Sequence, residues 1–202
     1  MRLRRCGADA MLVEVDSLDE VEAVRAALAD ADLPGLVELV PAARTVLASF
    51  SPGSGGLTRL RPLLDTVDLS QRTSTAPREV VLQVHYDGPD LELVAKTAGT
   101  DVGGVIDLHT NAEYKVAFCG FAPGFGYLVG LPSALQQPRL DNPRKRVPPG
   151  SVGIAGEFTG AYPTASPGGW RLLGHTDATL FDSRREPAAL LAPGDVVRFE
   201  AV

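Results

Sequence analysis

Two runs decide how this chain reads: AFCGFAPGFGYLVGL (Ala117 to Leu131) and VPPGSVGIAGEFTGAYPTASPGGW (Val147 to Trp170). Gly and Pro are too dense in them for long helices. Phe, Tyr and Trp, whose large apolar areas seek burial, are interspersed throughout. A flexible linker would lack the aromatics, and a disordered tail would carry more charge and fewer Val, Ile and Phe. The expectation is therefore a set of rigid, irregular loops packed around a cleft.

Working outward from these runs, Glu113 to Cys119 (EYKVAFC) reads as a strand leading into the first, and Val152 to Ala155 and Arg171 to Leu173 read as strands around the second. PGD (Pro193 to Asp195) is a turn before the alternating segment VVRFEAV. On the N-terminal side, Glu79 to His85 (EVVLQVH) alternates as a strand. Pro89 opens a helix with an apolar stripe at Leu91, Val94 and Ala95 ending at Gly99, and Thr100 caps a second helix carrying Val102, Val105, Ile106 and His109. A Gly/Pro-punctuated series of short strands points to a barrel.

The first third of the chain has a different order. Met11 to Val15 alternates as a strand; Ser17 and Glu20 form a capping-box pattern before Val21, Val24 and Leu28 recur at helical spacing. Leu36 to Val40 and Thr45 to Phe50 read as strands. PGSGG (Pro52 to Gly56) breaks the chain before a helix over Leu57, Leu60, Leu63 and Leu64. With a last strand near Arg78 to His85 or missing, the order β-α-β-β-α fits a small α+β sandwich of the ferredoxin-like kind. SQRTSTAP (Ser70 to Pro77) is polar and aperiodic and is taken as the boundary between domains 1–77 and 78–202.

Composition narrows the function classes. The chain has 202 residues, 45% hydrophobic and 22% charged, with a net charge of −6. That charge argues against a general nucleic-acid surface, which needs clustered Lys and Arg. The basic opening MRLRR is interrupted by Asp9, Glu14 and Asp16 before an export-signal core could form, and no uncharged apolar run approaches the roughly 20 residues of a membrane span. A cytoplasmic location is expected. Cys6 and Cys119 fit neither a disulfide framework nor a metal motif, and Cys119 is read as a small buried hydrophobe in preference to a reactive thiol.

Several catalytic patterns are absent. SPGSGGLTR (Ser51 to Arg59) lacks the lysine of a phosphate loop, there is no HExxH, and GSVG (Gly150 to Gly153) has Pro149 where a nucleophile elbow needs glycine. No metal site is expected. Arg139 and Arg144 flank Asn142 in a Pro-bounded loop and are candidates to grip an anion, whereas Lys145 and Arg146 read as surface charge. His109, on an apolar helix face, is a satisfied structural histidine or a base; the first reading is preferred. His175, in GHTDA, is more open to catalysis. Ser151, Thr159, Tyr162 and Ser166 offer hydroxyls that either close turns or touch a ligand. Trp170 reads as a core or cleft-wall aromatic.

The segments FCGFAPGFGYLVGL, PRLDNPRKRVPPGSVGIAG, TGAYPTASPGGWRLLGHT and LFD, together with CGADAMLVEV, YDGPDLELVA and IDLHT, resemble the KipI family, also called the allophanate hydrolase subunit 1 family, in order and spacing over nearly the whole chain. The resemblance implies a ferredoxin-like N-terminal domain and a cyclophilin-like β-barrel. It implies the B subunit of a 5-oxoprolinase that hydrolyses 5-oxoproline to glutamate with ATP, ATP being bound by the complex and no cofactor by this chain alone. The implied partners are a homologous cyclophilin-like subunit, of the 5-oxoprolinase C-subunit or allophanate hydrolase subunit 2 type, and a subunit of the LamB/YcsF type. The site it implies is a composite one for a small carboxylate, formed on this chain by Arg139, Arg144, Gly120, Phe121, Pro123, Gly124, Phe125, Tyr127, Ser151, Thr159, Tyr162, Ser166, Gly168 and Trp170, with His175 and His109 as candidate bases. Half of a biotin-dependent carboxyltransferase and a non-catalytic inhibitor of a histidine kinase are the alternatives. Phe158 stands where the family usually has Gln, and His175 where it commonly has Arg.

Overall fold

The computed structural model describes residues 1–69 and 78–202. The chain divides into two compact units, Met1–Ala76 and Pro77–Val202. The boundary expected between Ser70 and Pro77 lies outside the described residues.

The first unit is a four-stranded antiparallel sheet carrying two helices. In chain order its elements are β1 (Arg2–Arg5), β2 (Ala10–Glu14), α1 (Leu18–Asp30), β3 (Leu36–Pro41), β4 (Thr45–Phe50) and α2 (Gly56–Leu64), with strands in the order β1-β2-β4-β3. Helix α1 begins as its sequence dictates: Ser17 Oγ accepts from the Glu20 amide at 3.2 Å, and Glu20 reaches back to the Asp16 amide at 2.9 Å. Val21, Val24 and Leu28 are buried from one face of α1 against Val13, Val46, Ala48, Leu60 and Leu64. The strand beside β2 differs from expectation. A ferredoxin-like order puts the last strand there, whereas here the N-terminal β1 occupies that edge and Glu79 to His85 belongs to the other unit. Its sequence, RLRR, conceals the strand because an edge tolerates charge: Arg4 Nε pairs with Glu14 at 2.8 Å on the neighbouring strand.

The second unit is the barrel. Its elements are β5 (Glu79–Val84), α3 (Leu91–Ala98), α4 (Val102–Thr110), β6 (Tyr114–Cys119), β7 (Gly126–Val129), a 3-10 turn (Ser133–Leu135), β8 (Arg144–Val147), β9 (Ser151–Ala155), β10 (Phe158–Ala161), β11 (Ser166–Gly168), β12 (Arg171–His175) and β13 (Val196–Ala201). Seven strands form one sheet in the order β12-β9-β10-β7-β6-β13-β5, and β11 and β8 pair separately. β13 runs parallel to β5 and antiparallel to β6.

The two outer strands of the seven, β12 and β5, meet at their ends. His85 and His175 exchange both backbone hydrogen bonds at 2.9 Å, and Gly88 and Asp90 donate to the carbonyls of Leu173 and Leu172 at 3.0 and 3.2 Å. Closure needs glycine at two points. A methyl group on Gly174 would stand 2.0 Å from the His85 carbonyl, and one on Gly88 2.3 Å from that of Leu172. Leu82, Val84, Tyr114, Val116, Leu128, Val152, Ile154, Leu173, Val197 and Phe199 form the interior, all of them almost wholly buried.

Helices α3 and α4 pack on each other, α3 against β12 and α4 against β13. Both helices start later than expected. α3 begins at Leu91, after Asp90, rather than at Pro89, and Asp101, rather than Thr100, caps α4 by accepting from the Gly104 amide at 2.7 Å. Gly99 ends α3 in the left-handed conformation, φ 72°. No helix among the described residues is long and apolar enough to cross a membrane.

Candidate functional site

The two glycine- and proline-rich runs meet over one side of the barrel and enclose a pocket of about 270 Å³. Five aromatic side chains line it: Phe121, Phe125, Tyr127, Tyr162 and Trp170. Phe125 sits at the centre of the cluster, 1% exposed, with ring centroids 5.0 to 5.4 Å from Phe121, Tyr127, Tyr162 and Trp170, every pair edge to face. Edge-to-face packing of this kind fixes ring orientation, each pair being worth about 1 kcal/mol beyond the area it buries. Tyr127 is held from behind as well, stacked on Phe118 at 4.5 Å and edge-on to Phe158 at 5.6 Å.

The loop between β6 and β7 is wound tightly to place Phe121. The Ala122 amide bonds the Gly120 carbonyl at 2.7 Å, the Phe125 amide that of Ala122 at 2.9 Å, and the Gly120 amide that of Phe125 at 3.1 Å. Phe121 is forced to φ 66°, the only non-glycine positive φ among the described residues, and the residue is 57% exposed. Such a conformation costs a bulky residue about 1–3 kcal/mol. Gly124 supports the loop with φ 86°, where a methyl would meet the Leu180 carbonyl at 2.9 Å.

The floor is made by β11 and the corner that joins it to β12. Gly168 passes directly over the Tyr162 phenol, which a methyl there would approach to 2.5 Å. The Gly169 carbonyl accepts from the Leu140 amide at 2.8 Å and so ties the Arg139 loop to the β11–β12 corner.

The two arginine candidates separate. Arg144 is already engaged: its Nη2 donates to both Asp90 carboxylate oxygens at 2.7 and 2.8 Å, and its Nη1 reaches the Trp170 carbonyl at 3.4 Å. Asp90, 6% exposed, also accepts from the Leu172 amide at 2.7 Å, so the pair pins the start of α3 to β8 and β12. Arg139 lines the pocket, is exposed, and has no hydrogen-bond or ion-pair partner among the described residues. It is the cation available to a ligand. Its field acts on both tyrosines: burial raises the Tyr127 and Tyr162 pKa values, and Arg139 draws them partly back. Both phenols therefore stay protonated donors at neutral pH.

Of the other candidates, Gly168 lines the pocket with the aromatics, while Gly120, Pro123 and Gly124 shape its loop from outside. Ser166 lies on β11 with its hydroxyl on the Thr164 carbonyl at 3.4 Å, and Ser151 is buried in β9; neither lines the pocket. Thr159 and His109 are sealed inside the barrel. Thr159 Oγ1 donates its single proton to the Gly153 carbonyl at 3.1 Å, so His109 Nε2–H donates to Thr159 at 3.0 Å and Nδ1 accepts from Tyr86 at 2.7 Å. Fully buried and neutral, His109 has its pKa pulled down to about 3 by desolvation. The same burial pushes Tyr86 and Tyr114 up. His175 lies in the barrel closure, its ring stacked on His85 at 4.9 Å and its Nδ1 2.9 Å from Asp87. Neither histidine lines the pocket. Cys119 is half-buried with its pKa raised by desolvation, which disfavours the thiolate.

Leu140, Pro143, Pro167 and Gly169 complete the lining. Pro167 and Gly169 sit inside the second Gly- and Pro-rich run, and Leu140 and Pro143 in the Pro-bounded loop between the two runs. The signal for them was the backbone punctuation rather than any reactive side chain. Among the described residues no group of three or more His, Cys, Asp or Glu is arranged to hold a metal ion.

Comparison with known proteins agrees with this architecture. The family model for the carboxyltransferase domain, subdomain C and D, matches residues 1–191. The chain is similar to the B subunit of 5-oxoprolinase from Escherichia coli O157:H7, 43% identical over 172 residues, 83% of this chain and 79% of that one. It is also similar to the B subunit of 5-oxoprolinase from Bacillus subtilis (strain 168), 51% identical over 112 residues, 55% of this chain and 47% of that one. Among solved structures, TTHA0988 matches with a TM-score of 0.83 at 36% identity, covering 96% of this chain and 40% of that one, so the present chain spans well under half of that protein's length. The urea carboxylase of Kluyveromyces lactis, 20% identical with a TM-score of 0.75 over 99% of this chain and 21% of that one, shares the fold. The chain belongs to the carboxyltransferase subdomain C and D family, of the KipI and allophanate hydrolase subunit 1 type.

Proposed function

We propose that this chain is the B subunit of an ATP-dependent 5-oxoprolinase and contributes one wall of a composite site. The observation that carries the reading is the pocket itself: aromatic faces, two phenol donors and the unpartnered Arg139 suit a small cyclic carboxylate, and its volume lies at the small end for ligand sites. The B-subunit names of relatives up to 51% identical support it.

The pocket supplies binding groups but no base or nucleophile. Opening a lactam sacrifices amide resonance, and transfer of a phosphoryl group from ATP to the lactam oxygen, with release of ADP, activates the carbonyl carbon. Water adds there, the ring C–N bond breaks as the nitrogen leaves protonated, and a second water hydrolyses the resulting γ-glutamyl phosphate to glutamate and phosphate. Those steps fall to the partners, a homologous cyclophilin-like subunit and a LamB/YcsF-type subunit, with ATP bound by the complex. On this reading Arg139 holds the carboxylate, in place of Arg144, and the chain alone does not turn over. His175 and His109 have no part in it.

The test is reconstitution. The purified chain is mixed with its two partner subunits and glutamate formation from 5-oxoproline and ATP is followed. Turnover that requires all three chains supports the proposal; absence of a complex, with partners active alongside another B subunit, overturns it. A second reading, half of a biotin-dependent carboxyltransferase, is favoured by the matching family model. Loss of the reconstituted activity on adding avidin would select it.

A further inference from the structure

We propose that the pocket selects cyclic monocarboxylates that lack a basic nitrogen, so that it admits a lactam acid and rejects both the ring-opened amino acid and cyclic amines of the same size. The inference rests on the reading above and deepens it from substrate name to the chemistry of discrimination.

The argument is a charge inventory of the lining. Arg139 is the one ionised side chain among the lining residues, and none of them carries a carboxylate. The other polar side-chain groups there are the Tyr127 and Tyr162 hydroxyls and the Trp170 indole N–H, all of them donors and the phenols acceptors as well. Two backbone acceptors beside the pocket are already engaged: the Gly169 carbonyl by the Leu140 amide, and the Trp170 carbonyl by Arg144. The nearest buried carboxylate, Asp90, is neutralised by Arg144 and capped by the Leu172 amide. A carboxylate entering this pocket meets Arg139; an apolar ring edge meets the faces of Phe125 and Trp170. A neutral lactam N–H or carbonyl can use a phenol oxygen or proton.

An ammonium group has no such place. At neutral pH the nitrogen of proline or glutamate is protonated, and it would lose its hydration beside Arg139 with no carboxylate to compensate. Glutamate adds a second carboxylate for which no second free cation lines the pocket. Hydrolysis of a lactam acid creates both unfavourable groups at once. The product is therefore expelled by the pocket that bound its precursor.

Trp170 is the single tryptophan of the chain and lies in the pocket wall, so its fluorescence reports occupancy directly. The full chain is titrated with 5-oxo-L-proline, cyclopentanecarboxylate, L-proline and L-glutamate at pH 7, with calorimetry on the same four. Saturable binding of the first two at least tenfold tighter than the last two is expected, with Arg139→Gln losing at least tenfold for the first two while its melting temperature stays unchanged. Equal binding of proline or glutamate, no effect of Arg139→Gln, or no saturable binding of any of the four overturns the proposal. Absence of 5-oxoproline binding sinks both readings, which otherwise fail separately. The expected selectivity in a chain whose complex yields no glutamate sinks the 5-oxoprolinase assignment alone, and amines binding equally in a chain whose complex turns over 5-oxoproline sinks the selectivity alone.

Discussion

Acidification to pH 5 should weaken the barrel through one residue, His109. In the folded chain its pKa is pulled from 6.5 down to about 3 by complete burial. The folded state thus keeps the imidazole neutral, and the unfolded chain takes up a proton below pH 6.5. Because the folded pKa is the lower one, the stability that neutral His109 confers is fully present above pH 6.5. It is lost progressively as pH falls from 6.5 towards 3, with no further loss below both values. Linkage gives a limiting slope of about 1.4 kcal/mol per pH unit, or about 2 kcal/mol between pH 7 and pH 5. With a urea dependence of about 2 kcal/mol per molar, the unfolding midpoint should fall by roughly 1 M. Trp170 fluorescence is the right probe, since the only tryptophan lies in the second unit. His109→Gln retains a donor towards Thr159 but has no proton to gain. Its absolute stability drops, and the difference in pH slope between it and the parent isolates the histidine. If the two slopes coincide, or if NMR of the parent shows His109 titrating near 6.5, the buried-network account is wrong.

Three other outcomes follow from the packing. Asp90→Ala leaves the Arg144 guanidinium half-buried without its carboxylate and should cost about 3 kcal/mol, read as a lowered melting temperature, while Asp90→Ala with Arg144→Leu recovers part of the loss. Phe121→Asn places a residue that tolerates positive φ in the strained turn but gives up the edge-to-face contacts with Phe125 and Tyr162, so the two effects should nearly cancel in urea unfolding while 5-oxoproline binding by fluorescence weakens. Gly174→Ala drives a methyl into the His85 carbonyl and should open the closure, seen as faster amide exchange at His85 and Gly88 than at the mid-barrel amides of β9.

How far the sequence carried is clearest at the arginines. Arg139 and Arg144 are equivalent as letters, five residues apart in one Pro-bounded loop. What separates them is Asp90, 54 residues upstream of Arg144, and no local pattern announces that pairing. His109 gave two readings for the same reason: the Tyr86 and Thr159 groups that satisfy it stand 23 and 50 residues away. Periodic elements were legible, and β5, β6, α1 and α3 appear where alternation or helical spacing placed them. Strands β7, β8, β10 and β11 were hidden, because three or four residues rich in Gly, Pro or Arg carry too little alternation to be distinguished from loop. The aromatic loops were recognised as a cleft, since burial of large rings in a backbone that cannot form helix leaves few other arrangements.

The position of β13 has a consequence for how the chain is made. Residues 196–201 lie one strand in from the β5 end of the seven-stranded sheet, between β5, which they follow in parallel, and β6. Until they leave the ribosome, β5 has no partner along its length and the interior around Phe199 stays open. The first unit, built from contacts among its own 76 residues, can close during synthesis, but the barrel must wait for its last strand, joining segments more than a hundred residues apart. Newly made chains therefore pass through a stage in which the N-terminal sheet is formed and an apolar half-barrel is exposed, and chaperones have their chance to act in that interval.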